Sequence, residues 1–269
     1  MSHSGETRVE VGLPQCTATV LQHDHSERFP DLGLRLTPEP GLTNPDIIQA
    51  ALATDAGCEQ VEALVERFGV LVFENVHWRG VSITQKFGAD DVSNAGDIFW
   101  HTHFPLNGLR YTSLLCSPRA LARRSQTHFA DADVVRPRLA DFVRNADSGL
   151  ITNIQDEIRS DIEGRRGRDP SGLRSFLSDS CDREELGERL IEHPGLVHGI
   201  MSRLDNVFGA NLYRHLWKPG DCLVFSNAHV QGYNGLLHAR RAPSGGAKEV
   251  ADIWALDHGT IGYLHPDPY

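Results

Sequence analysis

The stretch that most constrains this chain is GDIFWHTHFPLNGLRYTSLL, residues 96–115. Its pattern is strand-like, and it places His101 and His103 two residues apart, between Trp100 and Phe104. In an extended chain, residues i and i+2 project from the same face. Two imidazoles side by side are either polar surface decoration or two ligands aimed at one metal ion.

A third ligand has to come from far along the chain. WKPGDCLVFSNAHVQGYNGLLHARRAP supplies two candidates, His229 and His238. The turn Pro219-Gly220-Asp221 leads into an apolar strand that Asn227 closes. In a closed or sandwiched sheet, such an arrangement brings a late histidine beside an early strand. Two same-face histidines and one remote one would hold a metal from one side and leave the other open, the facial arrangement of non-haem iron sites. The remaining histidines need no such role. His3, His23 and His25 lie in a polar stretch and His193, His198 and His215 in a helical region, where a solvated or core-satisfied role is expected.

The rest of the chain reads as a β-core interrupted by helices. Residues 1–43 suggest short strands and turns. A helix is expected from Asn44, with Pro45 in its first turn, through DIIQAALA. A second, CEQVEALVERFG, puts Val61, Leu64, Val65 and Phe68 on one stripe and stops at Gly69. VLVF then reads as a buried strand, 96–131 as strand-like, and 133–214 as mostly helical, with Asp133 among the capping residues. Beyond Trp217 the strands DCLVFSN, GLLHAR and EVADIWALD follow. We expect one domain over 1–269, mainly β with helical insertions. The charged helical insertion at about 133–214 would include a lid over the site.

Composition sets limits. A net charge of −10 argues against nucleic acid or an anionic membrane surface as partner. MSHSGETRVEVG has no apolar signal region and no stretch reaches membrane-spanning length. Five dispersed cysteines without a CxxC pair fit reduced thiols in a cytoplasm.

At this point the chain resembles the taurine dioxygenase-like (TauD/TfdA-like) iron(II)- and 2-oxoglutarate-dependent oxygenases. Four segments carry the resemblance, in the family's order. VERFGVLVFENVHWRGVSITQKFG is similar to the helix, strand and helix that open the family's core. FWHTHFPL stands where the family has a Trp-His-Thr-Asp-type iron motif. SQTHFADADVVRPRL resembles the segment whose threonine, here Thr127, helps hold 2-oxoglutarate. LWKPGDCLVFSN with LLHARRA resembles the Pro-Gly-Asp turn, the Asn-containing strand end and the distal His motif. The resemblance implies a double-stranded β-helix (jelly-roll) core and Fe(II) as cofactor. It also implies 2-oxoglutarate and dioxygen as co-substrates, with a small molecule as the compound oxidised. Trp100, Phe104 and Tyr111 would then wall the pocket.

Three departures matter. The family's acidic iron ligand is His103 here, which would leave the metal with three neutral ligands. About six residues are inserted between Asn227 and His238. The arginine of the last strand that clamps the distal carboxylate of 2-oxoglutarate is replaced by Lys248 near that place, a point charge instead of a bidentate fork. His238 is the preferred third ligand. If His229 is the ligand instead, Arg240 or Arg241 falls at the clamp spacing and His238 becomes a supporting residue. Two other classes stay open: a three-histidine metal oxygenase that works without 2-oxoglutarate, and a non-catalytic binding protein derived from the same fold. A true cupin is disfavoured, because no glutamate follows the HxH at the expected distance.

Overall fold

A computed structural model describes residues 8–13, 15–76, 98–101, 110–116, 126–169, 172–190, 212–218, 220–227, 235–241 and 253–258, with the backbone alone at 98–101, 239–241 and 253–258. Helix α1 (Asn44–Leu52) begins as its sequence asks: the Thr43 backbone N–H donates to the Asp46 carboxylate, and Pro45 occupies the first turn, where its missing N–H costs nothing. Helix α2 (Asp55–Phe68) is capped by the Thr54 hydroxyl, which accepts from Gly57 N, and buries Val61, Leu64, Val65 and Phe68. It stops at Gly69, whose φ of 72° suits glycine; a Cβ there would come within 2.7 Å of a Leu32 methyl.

The strands form two sheets. In the larger, β1 (Arg8–Val9), β2 (Cys16–His23), β3 (Asp31–Pro38) and β4 (Val70–Phe73) lie side by side, followed by β9 (Cys222–Ser226), β6 (Tyr111–Cys116) and β11 (Ile253–His258). The smaller has the order β5 (Ile98–His101), β10 (Leu236–Arg241), β7 (Gln126–Asp131), β8 (Tyr213–Leu216). From β5 onward the chain alternates between sheets, except that β7 and β8 both stay in the smaller one.

Three apolar layers hold this together. Between the sheets, Phe129, Tyr213 and Leu236 of the smaller meet Val70, Val72, Leu114, Leu223 and Phe225 of the larger. The Phe129 and Phe225 rings lie 5.0 Å apart, edge to face. Outside the larger sheet, α1 and α2 cover Leu34, Leu36, Leu71, Phe73, Leu115 and Val224. Outside the smaller sheet, Ala130 and Leu237 pack on α3 (Ala132–Arg144), α4 (Ser148–Gly164) and α5 (Arg183–Leu190). Sheets covered on both faces explain why β4 and β6 are buried at every position.

Two boundaries differ from expectation. The helical region ends before Tyr213, so His215 lies in a strand; β8 alternates buried and exposed residues, the period of an extended chain. Helix α3 is capped by Asp131, which accepts from Asp133 N, so Asp133 falls in the first turn. All five cysteines are free thiols. Among the described residues, no helix is long and apolar enough to cross a membrane.

Candidate active site

The smaller sheet lines up the residues singled out by sequence. Antiparallel pairing of β5 with β10 sets His238 opposite His101, and pairing of β10 with β7 sets His238 opposite Phe129. Phe129 in turn pairs with Tyr213 on β8. One row therefore runs His101–His238–Phe129–Tyr213. Two residues along, Arg240 pairs with Thr127 and Thr127 with His215, giving a second row on the same face. This face is the one turned toward the larger sheet, because Phe129 and Tyr213 belong to the layer between the sheets. His238 is 3% exposed, with the Phe225 ring 4.9 Å away and Phe129 at 6.2 Å. Between His238 and Arg240 the register against β5 shifts, two residues of β10 spanning three from Ile98 to His101. A bulge of this kind re-aims side chains at its strand end.

Behind the second row lies a buried polar chain. The Trp217 indole N–H donates to Thr127 Oγ1 at 2.7 Å. The edge of Trp217 meets the His215 ring, centroids 4.8 Å apart and planes at 83°. His215 Nε2 is 3.0 Å from the Asp221 carboxylate, and its Nδ1 is 3.3 Å from the Tyr213 hydroxyl. With Nε2–H donating to Asp221, Nδ1 is left to accept the Tyr213 proton. Burial holds the Tyr213 phenol well above its ordinary pKa. The Asp221 carboxylate also accepts from Lys218 N, which closes the Pro-Gly-Asp turn around it. At the rim, Glu74 pairs with Lys218 at 3.0 Å and Arg35 at 3.6 Å.

Other expected residues fall elsewhere. Tyr111 does not line the inter-sheet space. It belongs to the layer under α1 and α2, and its hydroxyl donates to Glu66 Oε1 at 3.0 Å. The alternation of β6 sends Tyr111, Ser113 and Leu115 outward while Thr112, Leu114 and Cys116 face the smaller sheet. Arg241 pairs with Gln126, one residue off the Thr127–Arg240 row, on the helix-facing register. Trp100 lies in β5. His103, Phe104, His229, Lys248, His3, His193 and His198 lie outside the described residues. Strand β11, IWALDH, contains neither Lys nor Arg. Among the described residues, no three His, Cys, Asp or Glu side chains gather as a metal cluster.

His25 departs from the expected solvated or satisfied role. It is 1% exposed, and neither ring nitrogen has a hydrogen-bond partner among the described residues. Burial pushes its pKa down to about 4. The polar chain from Asp221 to Thr127 was missed by sequence reasoning. Its one visible signal is the spacing of His215, Trp217 and Asp221 around the Pro-Gly-Asp turn.

No protein-family model matches this chain, and neither does any curated protein. Solved structures do. AAD-2 in complex with Mn(II) and N-oxalylglycine is 15% identical, with 91% of this chain and 98% of that one covered and a TM-score of 0.45. A protein from Burkholderia xenovorans assigned as an alpha-ketoglutarate dependent 2,4-D dioxygenase is 16% identical, covering 86% and 93%, at a TM-score of 0.41. The PvcB protein from Pseudomonas aeruginosa is 13% identical, covering 92% and 98%, at 0.40. Likenesses this distant say nothing of this chain's ligands.

Proposed function

We propose that the chain is a single-domain non-haem iron(II) oxygenase on a double-stranded β-helix core, using 2-oxoglutarate and dioxygen to oxidise a small molecule. One observation carries the reading: His238 is paired with His101 and, two residues on, Arg240 with Thr127, on the face between the sheets. The alternation of strands between two sheets supports the jelly-roll assignment.

The donor chemistry fits a divalent metal. Two imidazoles at adjacent register positions, one of them buried, suit iron, zinc, copper or nickel. His103, two residues past His101, would add the third. His238 is favoured over His229 by its place opposite His101. Bound iron(II) supplies dioxygen activation coupled to decarboxylation of the 2-oxo acid. In the net hydroxylation, 2-oxoglutarate, dioxygen and a C–H bond give succinate, carbon dioxide and C–OH.

The chain's own residues bind and orient. Arg240 beside Thr127 supplies a cation and a hydroxyl for the distal carboxylate of 2-oxoglutarate. Arg240 is preferred to Arg241, which pairs on the opposite face, and to Lys248, which precedes β11. His238 as ligand is thereby combined with the arginine clamp whose spacing was counted from His229. Phe129 and Phe225 exclude water around His238. The helical excursion between β7 and β8 would supply the lid, and a cytoplasmic location is consistent with the free thiols.

Anoxic titration with iron(II) and then 2-oxoglutarate tests the reading. A visible metal-to-ligand charge-transfer band is expected, and its absence with iron bound would overturn the use of 2-oxoglutarate. The lack of any basic residue in β11 favours one other reading, a three-histidine oxygenase that needs no 2-oxo acid. Dioxygen uptake without succinate would establish it.

A further inference from the structure

We infer that Trp217 is a positioning residue that turns Thr127 into a dedicated proton donor, and so sets the preference of this site for a 2-oxo acid with a distal carboxylate. The inference rests on the 2-oxoglutarate reading above. An indole N–H only donates, so at 2.7 Å from Trp217 Nε1 the Thr127 oxygen is the acceptor. A hydroxyl accepting there still has one proton to place. Thr127 is 2% exposed, and among the described residues its hydroxyl donates to none. Its register partner is Arg240. A committed O–H donor at the register position next to an arginine is complementary to a carboxylate. It is mismatched to a methyl group, against which a buried donor would go unsatisfied.

Trp217 is itself held. His215 meets it edge to face, Asp221 and Tyr213 fix both nitrogens of His215, and the Lys218 N–H fixes Asp221. Tyr213, His215, Trp217 and Asp221 are all buried. Residues on either side of the Pro-Gly-Asp turn thus set the direction of one proton on β7, a strand far away in sequence.

The experiment compares 2-oxoglutarate with 2-oxopentanoate, which has the same five-carbon chain but ends in a methyl group. Binding of each to the Mn(II)-loaded protein is measured by calorimetry for wild type, Trp217→Phe, Thr127→Val and the double variant. Wild type should prefer 2-oxoglutarate. Trp217→Phe should reduce that preference roughly 5- to 10-fold, the effect of one buried hydrogen bond, while 2-oxopentanoate affinity stays within about 2-fold. The double variant should lose no more preference than Thr127→Val alone. A merely structural role would weaken both ligands together, and that result, or an unchanged preference, would overturn the inference. A wild-type protein that binds metal but does not distinguish the two acids would overturn the carboxylate clamp as well. If Trp217→Phe fails to fold, benzothienylalanine incorporated at position 217 keeps the indole shape with sulfur in place of N–H and must give the same loss.

Discussion

His238 stands opposite His101 in the pairing of β10 with β5, although four strands, β6 to β9, lie between them in sequence. Neighbouring residues in such a pair have Cβ atoms ~5 Å apart, close enough to share one ion. Substituting either by Ala should remove most bound iron(II), measured by metal analysis on protein of confirmed fold. Losing a supporting residue costs about 10–100-fold instead. Full iron occupancy in His238→Ala, together with its loss in His229→Ala, would move the third ligand to His229.

Arg240 and Arg241 adjoin in sequence but pair with Thr127 and Gln126 on opposite faces of the sheet. Arg240→Gln should therefore weaken 2-oxoglutarate binding by at least roughly 10-fold, as expected for loss of a charge-assisted contact. Arg241→Gln and Lys248→Gln should change it less than about 2-fold. Equal losses in all three would show that the clamp does not follow the register.

His25 gives a pH dependence of known sign. Burial lowers its pKa from 6.5 to about 4, so between these values the unfolded chain holds a proton that the folded chain does not. Its contribution is fully present above about pH 6.5 and is lost as pH falls toward 4. His25→Leu should flatten the fall in melting temperature across that window. An unchanged slope would mean that His25 takes up its proton in the folded protein as readily as in the unfolded one.

Tyr111 is a structural residue. Its hydroxyl donates to Glu66, which also pairs with Arg110 at 3.2 Å. Tyr111→Phe should cost about 0.5–1.5 kcal/mol in denaturant unfolding and leave metal and 2-oxo acid affinities unchanged. A change in ligand affinity at constant stability would return Tyr111 to the pocket.

Gly69 ends α2 with a positive φ and a Leu32 methyl 2.7 Å from where a Cβ would sit. Gly69→Ala should destabilise by at least about 1 kcal/mol, read as a lower denaturant midpoint. An unchanged midpoint would mean that the turn relaxes without strain.

Elements with local determinants were legible from the residues alone. Thr43, Pro45 and Gly69 mark the ends of α1 and α2, and the uniformly apolar VLVF marks a strand inside the sheet. Tyr111 was misplaced because every residue of YTSLLC is buried, so no alternation tells the inner face from the outer. His215 was misplaced because β8 has only four residues, too short for its period to stand out beside a helical region. The Arg240–Thr127 pair depends on strand order and register between segments far apart in sequence, which no local pattern encodes. The Trp217–Thr127 bond was hidden for the same reason.

Strands β7 and β8 are hydrogen-bonded neighbours, yet residues 132–212 lie between them. In polymer terms the helical excursion is one large closed loop. The entropy of closing such a loop grows with the logarithm of its length, about 0.6 kcal/mol per doubling. Tens of residues can therefore be added outside the packed faces of α3–α5 with little change in closure entropy, provided both ends return to the paired strands. Folding rate is more sensitive, because contacts between distant residues raise contact order and delay the productive nucleus. The junctions at Asp131 and Tyr213 thus tolerate added length beyond the packed helices, while the rate of folding records how much chain they hold.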